Sequence, residues 1–468
     1  MRTGTATRAE LDGEGTRLQA GYHLSEDQRA VARLRKLAGQ CVPLGQLVEH
    51  EGLFTGSIFK RVYASGAAHG KPYVSPSDLL KVEVRSCSFL SPLVGSDRIE
   101  RLALKPGTVL VTCSGMNLGQ AIWCRPDMDG LIASHDLIRI EVNGSRVPAG
   151  YVYAYLAGRF GHAWIRKQIY GGNIKHVEAD HLEPLPVPRL DPQLEVDVDA
   201  KVRRFAELVA SYRQGLDAAT QLLFSHLEIE DIDAEQWWDD SRHLGWVHHG
   251  ASRETLRALN HHPVAAELAG RIRAGTHSLL GELCRPELFK GKIIFKRIDA
   301  EPPYAVMLLG QRNAFRLRPY GRMISKASIQ GLGLQVPPLS TMIPSHGTLG
   351  EGELYCRAFI VTSETAKYAY SGDFFRCIPI PEKVPPGYLF AFLRSETAFR
   401  LLRSISAGGK QQEQHPALMW RMPIPRLEAP REEEIHQRIV TACEQLDEAL
   451  LLEEQARKEV ERAIQEAS

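Results

Sequence analysis

Gly150-Tyr151-Val152-Tyr153-Ala154-Tyr155-Leu156 returns 237 positions later as Gly387-Tyr388-Leu389-Phe390-Ala391-Phe392-Leu393, aromatic or aliphatic in the same places. Gly171-Gly172 with Gly408-Gly409, Pro186-x-Pro188 with Pro423-x-Pro425, and Asp136-Leu137-Ile138-Arg139 with Asp373-Phe374-Phe375-Arg376 keep that displacement of 237. Upstream, Ser114-Gly115-Met116-Asn117-Leu118-Gly119 answers Ser345-His346-Gly347-Thr348-Leu349-Gly350 at 231, and Trp123-Cys124-Arg125 answers Tyr355-Cys356-Arg357 at 232. Farther upstream, Leu53-Phe54-x-Gly56-x-Ile58-Phe59-Lys60-Arg61-Val62 answers Leu288-Phe289-x-Gly291-x-Ile293-Ile294-Phe295-Lys296-Arg297-Ile298 at 235 to 236. The displacement drifts by six residues while the order of landmarks holds, as loop-length changes within a common fold would produce. Chance matches would not stay in order.

Each copy closes on Pro-x-Pro-Arg-Leu, Pro186 to Leu190 and Pro423 to Leu427, followed by a proline suited to the first turn of a helix, Pro192 and Pro430. From there Val198, Val202, Phe205, Val209, Tyr212, Leu216, Ala219 and Leu223 alternate four and three apart, the seam of a coiled coil. After Pro430 the series Ile435, Ile439, Ala442, Leu446 and Ala449 runs on to Ala456, Val460 and Ala463, broken where Glu453 takes a seam position. One such helix would be read as packing on its own domain; two in one chain predict that they pack against each other. The chain divides into an N-terminal helical segment over 1–39, a first domain over 40–190 and a central spacer helix over 191–227. A linker over 228–275, a second domain over 276–427 and a C-terminal spacer helix over 428–468 follow.

The copies read as α+β. Val109-Leu110-Val111-Thr112 after Lys105-Pro106-Gly107, and Leu137 to Val142, predict short strands of a half-buried sheet, while Tyr151 to Gln168 and Tyr388 to Ser404 predict amphipathic helices. The linker holds Trp237-Trp238, Trp246, His248-His249 and His261-His262, with a helix near Val264 to Arg273. Its paired histidines lack a carboxylate or cysteine at ligand spacing, so they are read as facing solvent or a partner and no metal is expected.

A chain of 468 residues, 44% hydrophobic and 24% charged, is an ordinary globular composition long enough for several cores. A net charge of +1 counts against nucleic acid unless the charge is segregated, because displacing phosphate counterions needs basic surface. It is segregated: Arg271 to Lys326 holds twelve Lys/Arg against four Asp/Glu, and Glu428 to Ser468 five against twelve. The eight cysteines stand singly, without Cys-x-x-Cys, and are expected as buried thiols of a reducing compartment. No basic start precedes an apolar stretch, and no apolar run approaches the roughly 18 residues of a membrane span. A cytoplasmic protein without a membrane partner is expected.

Catalytic signatures are missing. A base-modifying methyltransferase carries a glycine-rich cofactor loop and Asp/Asn-Pro-Pro-aromatic to grip a flipped base. The nearest stretch here, Glu301-Pro302-Pro303-Tyr304, has the wrong first residue and reads as a turn before Ala305 to Leu309. Gly70-Lys71, Gly291-Lys292 and Gly409-Lys410 each lack the Ser/Thr of a phosphate-binding loop. The carboxylates concentrate on the helices instead of clustering as a nuclease requires. Ser114 lacks a Gly-x-Ser-x-Gly elbow. No catalytic residue is assigned.

What remains is recognition. Lys60-Arg61 and Lys296-Arg297 stand at matching places, where basic side chains neutralise phosphates or read guanine in the major groove. Either pair alone reads equally as solvated charge; recurrence favours DNA. Asn117 and His346 lie in the Ser loops, Asn173, Lys175 and His176 follow one Gly-Gly, and Lys410, Gln411 and Gln412 follow the other. These are polar loops suited to bases or phosphates, and their divergence fits two domains reading different sequences. The alternatives are a degenerate or fused methyltransferase or nuclease, and a scaffold that binds only protein.

From about Gln40 onward this layout resembles the specificity subunits of type I restriction-modification systems: Pro-Gly before Ser-x4-Gly (Pro106 to Gly119), the Gly-Tyr-x-aromatic-Ala-aromatic-Leu helix, the Gly-Gly loop, the Pro-x-Pro exit and the long helix, twice over. The resemblance implies two target recognition domains, each reading half of a split site in double-stranded DNA and separated by paired long helices; since each helix leaves an equivalent domain, the duplication predicts that they pair as an antiparallel coiled coil. It also implies two N6-adenine methyltransferase subunits and an ATP-dependent restriction subunit as partners, with S-adenosylmethionine on the methyltransferase and no cofactor in this chain. About 30 helical residues span roughly 45 Å, enough to hold two readers more than one turn of about 34 Å apart along DNA.

Overall fold

The apolar, mostly β-branched run Val109 to Thr112 forms a strand whose four side chains are all buried, and its neighbour Leu137 to Val142 starts with four buried residues. A sheet centred on such strands is covered on both faces. The computed structural model describes residues 8, 25–56, 58–85, 88–169, 175–239, 255–287, 289 and 293–468. It divides into two units, the first of residues 1–80, 84–210 and 449–468, the second of 81–83 and 211–448.

The first unit contains strands β1 Cys41–Pro43, β2 Val48–Thr55, β3 Tyr63–Ala64, β4 Lys71–Val74, β5 Ser88–Leu90, β6 Val109–Thr112, β7 Ala121–Trp123, β8 Ile132–Ala133, β9 Leu137–Val142 and β10 Pro186–Pro188. They form an antiparallel sheet β2-β9-β6-β7, a second sheet β3-β5-β4-β8 in which β4 and β8 run parallel, and the pair β1-β10. Val74, Leu110, Ile122, Ala133 and Leu137 join the two larger sheets in one core. Helices α1 Glu26–Lys36, α2 Ala149–Ala157, α3 Arg159–Lys167 and the first part of α4 Pro192–Leu227 complete it, with the last part of the C-terminal helix.

The second unit contains β11 His277–Leu279, β12 Ala305–Leu309, β13 Arg322–Ser325, β14 Thr341–Pro344, β15 His346–Gly347, β16 Phe359–Ile360, β17 Ala369–Tyr370, β18 Phe374–Cys377, β19 Ser406–Gly408, β20 Gln412–Gln414 and β21 Pro423–Pro425. Their order is β13-β12-β17 with β12 and β17 parallel, β16-β14-β18 antiparallel, β15-β20-β19, and the pair β11-β21. Leu309, Met342, Tyr370 and Phe374 fill its core. Its longer helices are the rest of α4, α5 Pro263–Ala274, α6 Pro386–Leu393, α7 Glu396–Ser404 and part of α8 Ala429–Ala467.

The single helices expected at Tyr151 to Gln168 and Tyr388 to Ser404 are each two. Gly158 turns the chain extended, and Gly161 lets α3 cross close over α2, where any side chain would meet the Tyr155 carbonyl. In the second unit Ser395 caps α7, its hydroxyl accepting from Ala398 N at 3.0 Å.

Two helices also precede the expected domain starts. In α1, Ala30, Val31 and Leu34 are buried, and α1 packs on α3; α5 packs on α7 and β21. Part of the expected linker therefore belongs to the second unit, because an apolar helical stripe must be covered. His262, expected to face outward, is buried and stacks on Trp237 at 4.5 Å, and His261 Nε2 lies 3.0 Å from Thr255 O. Trp246 and His248-His249 lie outside the described residues.

Every named seam position of α4 is buried, Val198, Val202, Phe205, Val209, Tyr212, Leu216, Ala219 and Leu223 alike. On α8 so are Ile435, Ile439, Ala442, Leu446, Ala449, Ala456 and Val460, but the last buried position is Ile464, four beyond Val460, and Ala463 is only half-buried. The seams meet their own units: Phe205 stacks on Tyr153 of α2 at 6.4 Å, and Phe224 on Phe392 of α6 at 6.3 Å. Lys201 pairs with Glu459 at 3.0 Å in the first unit; in the second, His226 lies 4.0 Å from Glu434, and Gly215 faces Ala442.

Of the seven described cysteines, six are buried and Cys41 is half-buried, all as free thiols. Burial pushes the Cys124 and Cys356 thiols up to about 12. Among the described residues no helix is long and apolar enough to cross a membrane.

Candidate nucleic-acid interface

In the first unit the polar residues gather around Asp136. It ends the bend before β9, where its carboxylate accepts from Ser114 Oγ at 2.9 Å and Ser134 Oγ at 2.8 Å. His135 Nε2 and Arg61 Nη2 both lie 3.8 Å away. Burial alone would raise this carboxyl, but the two hydroxyl hydrogen bonds, with the charges of His135 and Arg61, outweigh it and hold Asp136 below the usual carboxylate range. The exposed Arg61 also lies over the Tyr73 ring at 5.7 Å, and Phe59 meets the His135 ring edge-on at 6.5 Å. Ser114 forms an antiparallel bridge with His176, so the Ser loop bearing Asn117 lies beside Lys175 and His176. Thr112 Oγ1 donates to the Asn117 carbonyl. Lys60 and Lys175 are exposed, while Asn117 and His176 are half-buried.

Asp373 has a similar place in the second unit. Ser371 Oγ donates to its carboxylate at 3.1 Å, Ser345 N donates to its carbonyl at 2.9 Å, and Gln311 Nε2 donates to that carbonyl at 2.7 Å. His346 lies 4.0 Å from Asp373 Oδ1 and 3.3 Å from Glu413 Oε1, and its Nδ1 is 2.8 Å from Ser345 Oγ. β15 pairs with β20, which brings His346 beside the β19-β20 hairpin. Lys410 and Gln411 are exposed at its turn, which Gly408 allows with φ +94°. Gln412 is different: it is 6% exposed and its amide donates to the Gly409 carbonyl, closing the turn from inside. The extended stretch with Lys296 and Arg297 is exposed and tied at both ends, Ile293 N to Gly372 O at 3.1 Å and Ser325 N to Ile298 O at 2.8 Å.

The structure thus brings Arg61, the Ser loop and the segment at 175–176 together in one unit, and His346 with the turn at 409–411 in the other. Asn173 lies outside the described residues.

Sequence reasoning missed Asp136 and Asp373 as anchors, although both open the repeated Asp-x-x-Arg landmark. The arginines of that landmark are buried and structural. Arg139 donates to the carbonyls of Leu137, Leu102 and Ala133 at 3.2 to 3.3 Å, and Arg376 to those of Phe374, Gly333, Tyr370 and Ser371 at 2.7 to 2.9 Å. Burial brings each guanidinium down to about 10.

Glu301 to Tyr304 is a turn, Tyr304 N donating to Glu301 O at 3.1 Å, and it leads into β12. Among the described residues, Glu178, Asp180 and His181 could offer ligand atoms within 4.8 Å of one another, but His181 Nδ1 already accepts the Glu178 amide.

No family model and no curated protein matches the chain. Among solved structures it is similar to the type I restriction-modification S subunit from M. genitalium, at 10% identity and a TM-score of 0.32, over 91% of this chain and 94% of that one. The HsdS subunit from Thermoanaerobacter tengcongensis is similar at 14% identity and a TM-score of 0.26, over 91% and 95%. A chain from a structure of type I R-M complex assembly and conformational transition is similar at 15% identity and 0.27, over 91% and 97%.

Proposed function

We propose that this chain is a non-catalytic DNA-specificity subunit of a type I-like restriction-modification complex, its two units being copies of one target recognition domain that read the halves of a split site. The observation that carries the reading is a single hydrogen-bond framework made twice. Tyr151 Oη donates to Pro188 O at 2.6 Å and Tyr388 Oη to Pro425 O at 2.8 Å. Arg189 grips Glu195 at 2.6 Å where α4 begins, and Arg426 grips Glu432 at 2.7 Å where α8 begins. Gly150 N donates to Asp199 and Gly387 N to His436. Arg139 and Arg376 each tie their strand to carbonyls of the preceding segments. All four pairs are 237 positions apart.

The same framework corrects one alignment. β6 pairs Thr112 with Leu137, and β14 pairs Pro344 with Phe374. The displacement is therefore 232 on β14, and His346 takes the place of Ser114 beside the Asp136 or Asp373 carboxylate, not Ser345. A serine in one copy and a histidine in the other, within otherwise equal frames, suit domains that read different bases.

In this reading α4 and α8 pair antiparallel along their seams and present a docking surface for two N6-adenine methyltransferase subunits, with an ATP-dependent restriction subunit joining the assembly. Within the second unit Gly215 faces Ala442 and His226 lies near Glu434, a rising number on one helix meeting a falling one on the other, which supports that direction. S-adenosylmethionine belongs to the partner. The test is methyl transfer from labelled S-adenosylmethionine to DNA by this chain alone and with a type I N6-adenine methyltransferase subunit from the same genome. Transfer only by the mixture is expected; transfer by the chain alone that is lost in Y304A would overturn the reading in favour of an enzyme.

A further inference from the structure

Ile58 and Ile294 are 82% and 86% exposed, among the most exposed large apolar side chains described. A single exposed isoleucine needs no explanation. These two hold the same place in the repeat, two positions before Lys60-Arg61 and two before Lys296-Arg297, with a half-buried phenylalanine between. Neither lies on a loose end. Phe59 is set against His135, and Ser91 N donates to Val62 O at 2.9 Å. Around Ile294 the hydrogen bonds Ile293–Gly372 and Ser325–Ile298 fix the backbone, and a side chain on Gly372 would collide with the Ile293 carbonyl. Each unit therefore presents an isoleucine to solvent on an anchored stretch, with two cations following two and three positions on.

The cations name the occupant, since a polyanion is the surface they suit. On duplex DNA the apolar feature of a base edge is the 5-methyl group of thymine in the major groove, where arginine and lysine also find guanine and phosphate. We infer that Ile58 and Ile294 are specificity-determining residues, each packing against a thymine methyl group in its half-site while the adjoining Lys-Arg pair holds the backbone or a guanine. This rests on the DNA-reading function proposed above and names its apolar contacts.

The test uses the full chain assembled with its methyltransferase, on duplexes carrying the target found by methylome sequencing, with each thymine replaced in turn by deoxyuridine. Binding should weaken roughly fourfold at one thymine of each half-site, the worth of one buried methyl group. I294A should erase that discrimination in one half-site only, and I58A in the other, with unchanged melting temperatures. Discrimination that survives both variants overturns the inference. So does a loss that is equal on all sequences, the mark of a wedge or backbone contact, or a target in which no thymine is distinguished from deoxyuridine. An assembled complex with no preference for any duplex would overturn the DNA-reading function itself. Specific binding that K296A weakens and I294A and I58A leave intact would overturn this inference alone.

Discussion

The Tyr153 hydroxyl donates to Glu453 Oε1 at 3.1 Å, and both residues are buried in the first unit. Glu453 is the residue that interrupts the seam of α8, and Arg457 Nε donates to both of its oxygens at 2.9 Å. The interruption is thus a satisfied polar junction linking α8 to α2, on whose Tyr153 ring Phe205 of α4 also stacks. Removing one partner should cost more than removing a surface pair, because the others stay buried. Y153F should lower stability by about 1 kcal/mol and E453A by about 2 to 3 kcal/mol in urea unfolding. Equal midpoints for E453A and the parent would contradict the junction.

The seam itself was legible because a 3.5-residue period survives any detail of packing. What covers it was not: periodicity reports which face is apolar, and here Phe205 and Phe224 of that face stack on each unit's aromatic helix. The breaks at Gly158 and Ser395 were hidden for a similar reason, since amphipathic spacing continues through both. The helices α1 and α5 went unassigned to their units because their apolar stripes are short and carry no repeated landmark. In the site, the loops were visible as polar turns after repeated glycines, whereas the Asp136 anchor depends on strand register that places Ser114 beside it across 22 residues.

His436 gives a dependence on pH. Gly387 N donates to His436 Nδ1 at 3.0 Å, which requires a neutral ring, and burial lowers the imidazole from 6.5 despite the nearby Glu433 carboxylate. A base whose folded pKa is depressed leaves the unfolded chain holding more protons, so stability rises with pH through that window and falls as pH drops below about 6.5. Asp199 fills the equivalent place in the first unit. H436D should therefore flatten the stability profile of the second unit between pH 7 and about 5, as followed by hydrogen exchange of the Gly387 amide. A profile unchanged in H436D would count against the assignment.

Asp136 acts in the same direction, at lower pH. Its folded carboxyl lies below 3.8, so its contribution is fully present above that pH and is lost as pH falls through the depressed value. D136N should make unfolding less sensitive to acid and should loosen the Ser114 loop. An acid limb identical to the parent's would show that the Ser114 and Ser134 hydrogen bonds do not hold it.

Arg376 is fully buried with four carbonyl partners and no carboxylate among them. R376M strands those acceptors at a cost of about 3 kcal/mol or more, and R376K should not rescue it, because one ammonium cannot replace the planar fork. Thermal melting that places R376K within a degree or two of the parent would contradict this.

In the proposed DNA-reading function, Lys296 and Arg297 divide the work of contact. Recurrence of the pair in two units proposed to read different sequences suits a sequence-independent role, so at least one of K296A and R297A should weaken binding to every duplex and lower the salt slope by about one. Loss confined to one base pair in both variants would assign the pair to base reading instead.

The most direct measurement exchanges residues 276–427 for the matching domain of a relative and sequences the methylome of cells that carry the assembled complex. Two copies of one recognition domain, each reading alone, predict that one half of the methylated site changes and the other stays. A change in both halves, or a methylome indifferent to the exchange, would contradict the account.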